Sequence, residues 1–240
     1  MKLSEVAYSH VKDMLIEGRV GASEWLPIDG IAAELGSSRQ PVLEAMKRLV
    51  LEGFVEIMPQ VGCRVRSPDS QEIDDFYRLF AAGEALIAEL CAARAEPADV
   101  LSLRLISSQI AALSTLGEDS QAIGENYRVL NRRLHAEMRR VSRSKPLADV
   151  VESLGDRSDF YVALTNRSIF ALNIEQAHRE HEAIITAIAN GDTTGAREAM
   201  ERHIFATERR VLDQPEEAKQ RGAEPAERVA TKRAARAAKA

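Results

Sequence analysis

Apolar residues in the first quarter of the chain follow three helical periods and then a strand-like alternation. Leu3, Ala7, Val11, Met14 and Leu15 predict a helix over residues 3–17, with Ser4 as its cap and Gly18 and Gly21 as its end. Ile31, Ala32 and Leu35 predict a short second helix stopped by Gly36. Ser38 is placed to cap a third, which tolerates Pro41 in its first turn, turns Val42, Ala45, Met46 and Leu49 inward and stops at Gly53. Residues 54–58 and 61–66 then read as two strands joined through Pro59, Gln60 and Gly62. In the second run Val61, Cys63 and Val65 alternate with Arg64 and Arg66, so one face packs and the other presents charge. This order predicts a winged helix-turn-helix, although an ordinary helical corner with a solvated basic face explains the periodicity about as well.

Beyond Ser67, Pro68 and Asp69, a short linker, the spacing is helical throughout. Ile73, Phe76, Tyr77, Phe80, Ile87 and Cys91 mark one helix. Pro97 opens a second, in which Leu101, Leu103, Leu105, Ile106, Ile110, Leu113 and Leu116 cover more than one face, as in a central or interfacial helix. A loop is expected at 117–120. Ile123, Tyr127, Leu130, Leu134, Met138 and Val141 give a third, and Leu147, Val150, Val151, Leu154, Tyr161 and Leu164 a fourth. Ile174, Ala177, Ile184 and Ile188 give a fifth, Asn190, Gly191 and Asp192 a turn, and Ala196, Met200 and Ile204 a sixth. The expected fold class is mainly α: a winged helix-turn-helix with a small β-hairpin over 1–66, a linker at 67–69, and an all-α bundle of about six helices over 70–213. Residues 214–240 have no apolar stripe and read as a disordered tail.

Composition changes this picture little: 45% hydrophobic residues supply a core, and 5% aromatics with abundant Ala and Leu favour helices. Net charge is −5, which excludes a uniformly basic nucleic-acid binder. Residues 39–66, however, hold 5 basic against 3 acidic side chains, a locally positive patch. Cys63 and Cys91 lie far apart among apolar neighbours and read as two reduced, buried thiols. With no signal peptide and no apolar run near the ~20 residues a bilayer requires, a cytoplasmic protein is expected.

The chemistry of the first segment is that of DNA recognition. Ser38, Arg39 and Gln40 open the helix that would enter the major groove, where Arg39 can pair with guanine or hold a phosphate. Lys47 and Arg48 lie further along it, and Arg64 and Arg66 follow Gly62 on the wing. The run SSRQPVLEAMKRLVLEGFVE resembles the SR-x-PVREAL-x-RL-x-x-EGLV core of GntR-family bacterial transcription regulators, and Gly62 falls at the wing glycine. The resemblance covers about residues 4–66. Leu43 stands where the family usually has an arginine, and Asp29 where a basic residue is common. Each lost cation removes one counterion-release term from DNA binding.

Four histidines lie in the second segment, where a lone histidine on an apolar face is most often a satisfied core residue. Two of them are placed unusually: His181 and His203 each stand 11 residues from Asp192, so an antiparallel hairpin brings them level. Asn131 and His135 share one helical ridge. Three imidazoles and an amide oxygen converging in a bundle would suit Zn²⁺, Ni²⁺ or a similar divalent ion. NRRLH at 131–135, EHEAIITAIANGD at 180–192 and AREAMERH at 196–203 are similar to the D-x-x-F-H, EH-x-x-I-x-x-AI-x-x-GD and A-x-x-x-M-x-x-H patterns of the FCD effector domain in the FadR subfamily of GntR regulators. That resemblance implies a metal held by His135, His181 and His203 beside a pocket for a small carboxylate. It places Asn131 where the family has a ligating aspartate, which weakens the ion's charge compensation, and Phe80 where many members have an arginine. Arg78, Glu84, Arg128 and His178 are the candidate effector-pocket residues. The expected function is a homodimeric, ligand-responsive repressor of a palindromic DNA operator. Two alternatives stand beside it: a metal-dependent helical enzyme, and a DNA-binding regulator without effector response.

Overall fold

Ala7, Val11, Leu15 and Ile16 form the buried stripe of helix α1 (Leu3–Ile16) in a computed structural model that describes residues 2–114, 120–165 and 174–213. Lys2, not Ser4, takes the N-cap position, so Ser4 lies inside the first turn. Helix α2 (Ile28–Glu34) buries Ile28, Ile31 and Ala32, and α3 (Arg39–Leu51) buries Val42, Ala45, Met46 and Leu49. Gly36 and Gly53 follow these helices with φ of +57° and +79°, a region open to glycine at little cost. Strands β1 (Val55–Met58) and β2 (Gly62–Val65) pair antiparallel, with Val55 opposite Val65 and Ile57 opposite Cys63. Cys63 and Val65 are buried, but Val61, expected inward, is 69% exposed because the hairpin tip turns there. Trp25 forms an isolated bridge to Arg64, a third wing strand in miniature that the sequence pattern did not announce.

The remaining helices are α4 (Ser70–Arg94), α5 (Pro97–Leu113), α6 (Ser120–Val141), α7 (Lys145–Leu164), α8 (Ile174–Ala189) and α9 (Thr193–Leu212). Their starts are written locally. Asp69 accepts the Glu72 N–H, Glu96 and Asp99 form a capping box, and Asp192 accepts the Gly195 N–H. Helix α4 is central, packing against α6, α7, α8 and α9. On α5 the inward face is Leu103, Ile106, Ile110 and Leu113, while Leu101 and Leu105 are more than half exposed. Val150, expected inward, is 60% exposed, because its neighbour Val151 takes the core position about 100° away. Both cysteines are free and buried, and burial pushes both thiols up in pKa. Leu116, residues 117–119 of the expected loop and the tail from 214 lie outside the described residues. None of the described helices is long and apolar enough to cross a membrane.

The winged helix and the helical bundle share a wall. Phe54, just before β1, and Phe160 of α7 are both fully buried with ring centroids 5.1 Å apart, a contact worth about 0.5–1.5 kcal/mol beyond its buried area. Arg157 of α7 reaches Glu72 at 2.9 Å, and Arg66 reaches the other oxygen of Glu72 at 2.8 Å.

Candidate functional site

The N-terminus of α3 is open to solvent. Ser38 occupies the N-cap position, yet its side chain makes no capping bond, and no acidic residue lies in the first turn. Free N–H groups at the positive end of a helix, flanked by exposed Arg39 and Gln40, form a ready anion site. Arg39 lies 3.1 Å from Asp29 of α2, an exposed pair that is weak and readily exchanged for phosphate. Lys47 and Arg48 are exposed on α3, and the Arg48 guanidinium stacks 3.8 Å from the Tyr8 ring centroid. On the wing, Gly62 has φ of +148° and passes over the Trp25 ring, and Arg64 pairs with Glu56 across the hairpin. Arg66, expected on the same charged face, turns back to Glu72 at the junction, where a carboxylate outcompetes solvent for it.

The bundle interior gathers His135 of α6, His181 of α8 and His203 of α9. Their ligand atoms lie within 4.8 Å of one another. The His181 and His203 ring centroids are 4.6 Å apart, level across the turn at Gly191, whose φ is +68°. Nitrogens around a tetrahedral zinc sit about 3.4 Å apart, so small side-chain rotations would close this set on an ion. The strongest sign of a missing partner is His181: it is fully buried, and neither ring nitrogen has a hydrogen bond. Burial, with His203 and His135 beside it, holds its pKa well below the ordinary 6.5. Burial also lowers His203, against the pull of Glu180. These are neutral imidazoles, the form that binds metal.

One carboxylate orients the set from outside by a hydrogen bond, and a second lies close to His135 Nδ1 without forming one. Glu180 Oε2 lies 2.8 Å from His203 Nδ1, which leaves Nε2 for a ligand. Burial pushes Glu180 up, but His203 and Arg210 outweigh it and hold its pKa at about 2. Glu84, fully buried on α4, lies 3.3 Å from His135 Nδ1 and 3.4 Å from Arg139, with its Oε2 unpartnered. The amide oxygen of Asn131 accepts from Tyr127 at 3.4 Å.

A cavity of about 280 Å³ opens beside the histidines, lined among others by His135, His203, Asn131, Glu84, Arg132 and Asp156. Glu84 is thus the one member of the expected effector set that faces it. Arg78 projects into solvent and pairs with Asp74, because it falls on the outer side of α4. Arg128 points at Glu17, 3.8 Å away in the segment after α1. His178 lies 3.3 Å from Ser107, which donates to Glu182 in a link between α5 and α8. Sequence reasoning missed Glu180, Arg132, Arg139 and Asp156. Only Glu180 carried a signal, as the residue preceding His181.

An exposed helix-turn-helix with a β-hairpin wing, joined to a helical domain with a buried three-histidine cluster, is the build of a DNA-binding regulator. The chain belongs to the GntR family of bacterial regulatory proteins, matched over residues 3–65, with an FCD domain matched over residues 75–206. It is a DNA-binding transcription regulator by that membership. It is 26% identical over 203 residues to the HTH-type transcriptional repressor GlaR of Escherichia coli K12, covering 82% of this chain and 90% of that one. It is 23% identical over 202 residues to a probable D-xylose utilization operon transcriptional repressor of Paenarthrobacter nicotinovorans, covering 82% and 85%. Its fold resembles that of E. coli McbR/YncC, with a TM-score of 0.72, 19% identity, and coverage of 86% of this chain and 95% of that one.

Proposed function

We propose that the protein is a homodimeric repressor that releases or grips a palindromic operator in response to a small organic acid bound in the helical domain. The reading divides the chain into a DNA-binding domain at 1–66, a linker at 67–69 and an effector-binding, dimerising domain at 70–213. His181 carries it: a buried imidazole with two unpartnered nitrogens, packed against the two histidines that line the cavity, is costly unless something binds there. His135, His181 and His203 would hold a divalent ion, zinc or nickel, which supplies a Lewis-acidic position for a carboxylate. Around it, Glu180 fixes His203, Glu84 places a carboxylate 3.3 Å from His135, and Arg139, half-buried at the cavity wall, offers an acid a cationic partner. On the DNA side, Ser38, Arg39 and Gln40 would address bases and phosphates. Lys47 and Arg64 would address the backbone. Relatives named as repressors support the sign of regulation.

Operators selected from random DNA by the full-length protein test the first half. Arg39→Ala should weaken specific binding by about 1–3 kcal/mol. Arg64→Ala should weaken all sequences alike and flatten the salt dependence by about one unit. Unchanged gel-shift affinity for both variants would remove α3 and the wing from the interface. A panel of small hydroxy acids, added with zinc, tests the second half: one of them should shift operator affinity by about 1–3 kcal/mol. If no acid does so, the effector-blind alternative stands.

A further inference from the structure

Helix α7 serves two sites at once. Asp156, Ser158, Asp159 and Val162 line the cavity, while Arg157, whose guanidinium lies against Gly53, and Phe160 hold the winged helix. Asp156 does both. Its Oδ1 accepts from Arg132, a cavity-lining residue of α6, at 2.7 Å, and its Oδ2 accepts from Lys12 of α1 at 2.7 Å. The contacts continue from Lys12 toward the DNA face. Lys12 donates to Tyr8 at 2.8 Å and to Glu52 at 3.1 Å, Tyr8 donates to Glu52, and the Arg48 guanidinium of α3 stacks 3.8 Å from the Tyr8 ring centroid. A line of direct contacts therefore runs from the cavity through Arg132, Asp156, Lys12 and Tyr8 to the helix that opens with Arg39.

We infer that Asp156 is the coupling residue between the effector cavity and the DNA-binding domain, and that Arg132 is the group through which a cavity ligand acts on it. Arg132 is half-buried, with 40% of its side chain exposed against 15% for Asp156 and 14% for Lys12. It bridges Asp156 and Asp159, which it reaches at 2.9 Å. An anion entering the cavity offers its guanidinium a further acceptor in direct competition with Asp156. Asp156 is mostly buried, so it does not replace the lost partner with bulk water and leans on Lys12 instead. Lys12 is equally enclosed between Tyr8, Glu52 and the Phe54 ring, so a change in its pairing is felt across α1 and the Arg48 stack. The arrangement gives two discrete pairings of one carboxylate, which is what a coupling element requires. The same residues acting as a static rivet would hold the domains together without transmitting anything.

This inference rests on the proposed effector reading for the presence of a ligand, but the coupling is testable without one. Full-length protein and a selected operator are used, with Arg132→Met, Lys12→Met and the double variant. Arg132→Met, far from the DNA face, should change operator affinity by about fivefold or more, the lower end of usual coupling. In the Lys12→Met background the same replacement should change it by less than about twofold, and Lys12→Arg should restore the full effect. Asp156→Asn, close to isosteric, replaces Lys12→Met in the cycle if that variant does not fold, and should silence Arg132→Met in the same way. Additive effects, or a folded Arg132→Met protein with wild-type operator affinity, overturn the inference and leave a rivet. Failure of every hydroxy acid to shift wild-type affinity would count against the effector reading, whereas the cycle decides the coupling by itself.

Discussion

Replacing His181 with leucine is expected to stabilise the metal-free protein and to abolish its response to zinc. His181 is fully buried and neither ring nitrogen has a hydrogen bond within the protein. Each such group costs about 1–3 kcal/mol of uncompensated desolvation, and an apolar side chain of similar size removes that cost. With zinc at a thousand times its Kd, the wild type should gain about 4 kcal/mol, and the variant nothing. Melting curves in chelator and in zinc separate the two. A chelated variant that melts well below the chelated wild type would show that the imidazole has a packing role that leucine cannot fill, and zinc stabilisation of both proteins alike would place the metal elsewhere.

The same histidines set a pH dependence. Burial lowers the pKa of His181 and His203 in the folded protein below the ordinary 6.5, so the unfolded chain takes up protons that the folded one refuses. Above 6.5 both states are neutral and titration costs the fold nothing; as pH falls from there toward the folded pKa values, a growing penalty is subtracted from stability. Metal-free wild type should therefore lose stability on acidification through this window more steeply than His181→Leu. Zinc affinity should fall over the same range, because protons compete for the ring nitrogens.

What the sequence made legible was whatever depended on period and symmetry about a turn. Gly36 and Gly53 bracket α3 because positive φ follows each helix, and a glycine is visible without a structure. His181 and His203 could be paired across Asp192 because an antiparallel hairpin keeps equidistant residues level, and their rings do meet. Choices between neighbours were not legible. Val150 and Val151 are equally apolar, and only packing against α4, where Val151 touches Gly83, decides which turns in. Long cations were harder still. Arg66, Arg78 and Arg128 were expected near DNA or ligand, and they go to Glu72, Asp74 and Glu17. A flexible charged side chain chooses the nearest carboxylate in space, and spacing along the chain says little about which that is. The double role of α7 was invisible for the same reason. Its inward stripe reads as one core, whereas Phe160 packs on the winged helix and Ser158 and Asp159 face the cavity.

Glu180→Gln should weaken zinc binding by about 10- to 100-fold, the usual cost of losing a carboxylate behind a ligating histidine. The ligand set alone, three neutral imidazoles and the amide of Asn131, offers an ion no negative charge. Glu180 places one a single ring away, accepting from His203 Nδ1 at 2.8 Å while Arg210 anchors its other oxygen at 2.8 Å. Held at a pKa of about 2, it remains ionised throughout the neutral range. Glutamine keeps the size and can still accept from Nδ1, so the variant isolates the charge from the geometry. Asn131→Asp is the complementary change: it adds the missing charge next to the histidines and should raise zinc affinity and reduce the benefit of a bound acid. Calorimetric zinc titrations of both variants, with and without an acid, make the comparison. If Glu180→Gln binds zinc as tightly as wild type while Asn131→Asp gains, only charge that touches the ion counts. If both respond in opposite directions, the outer carboxylate has taken over part of the aspartate's electrostatic role.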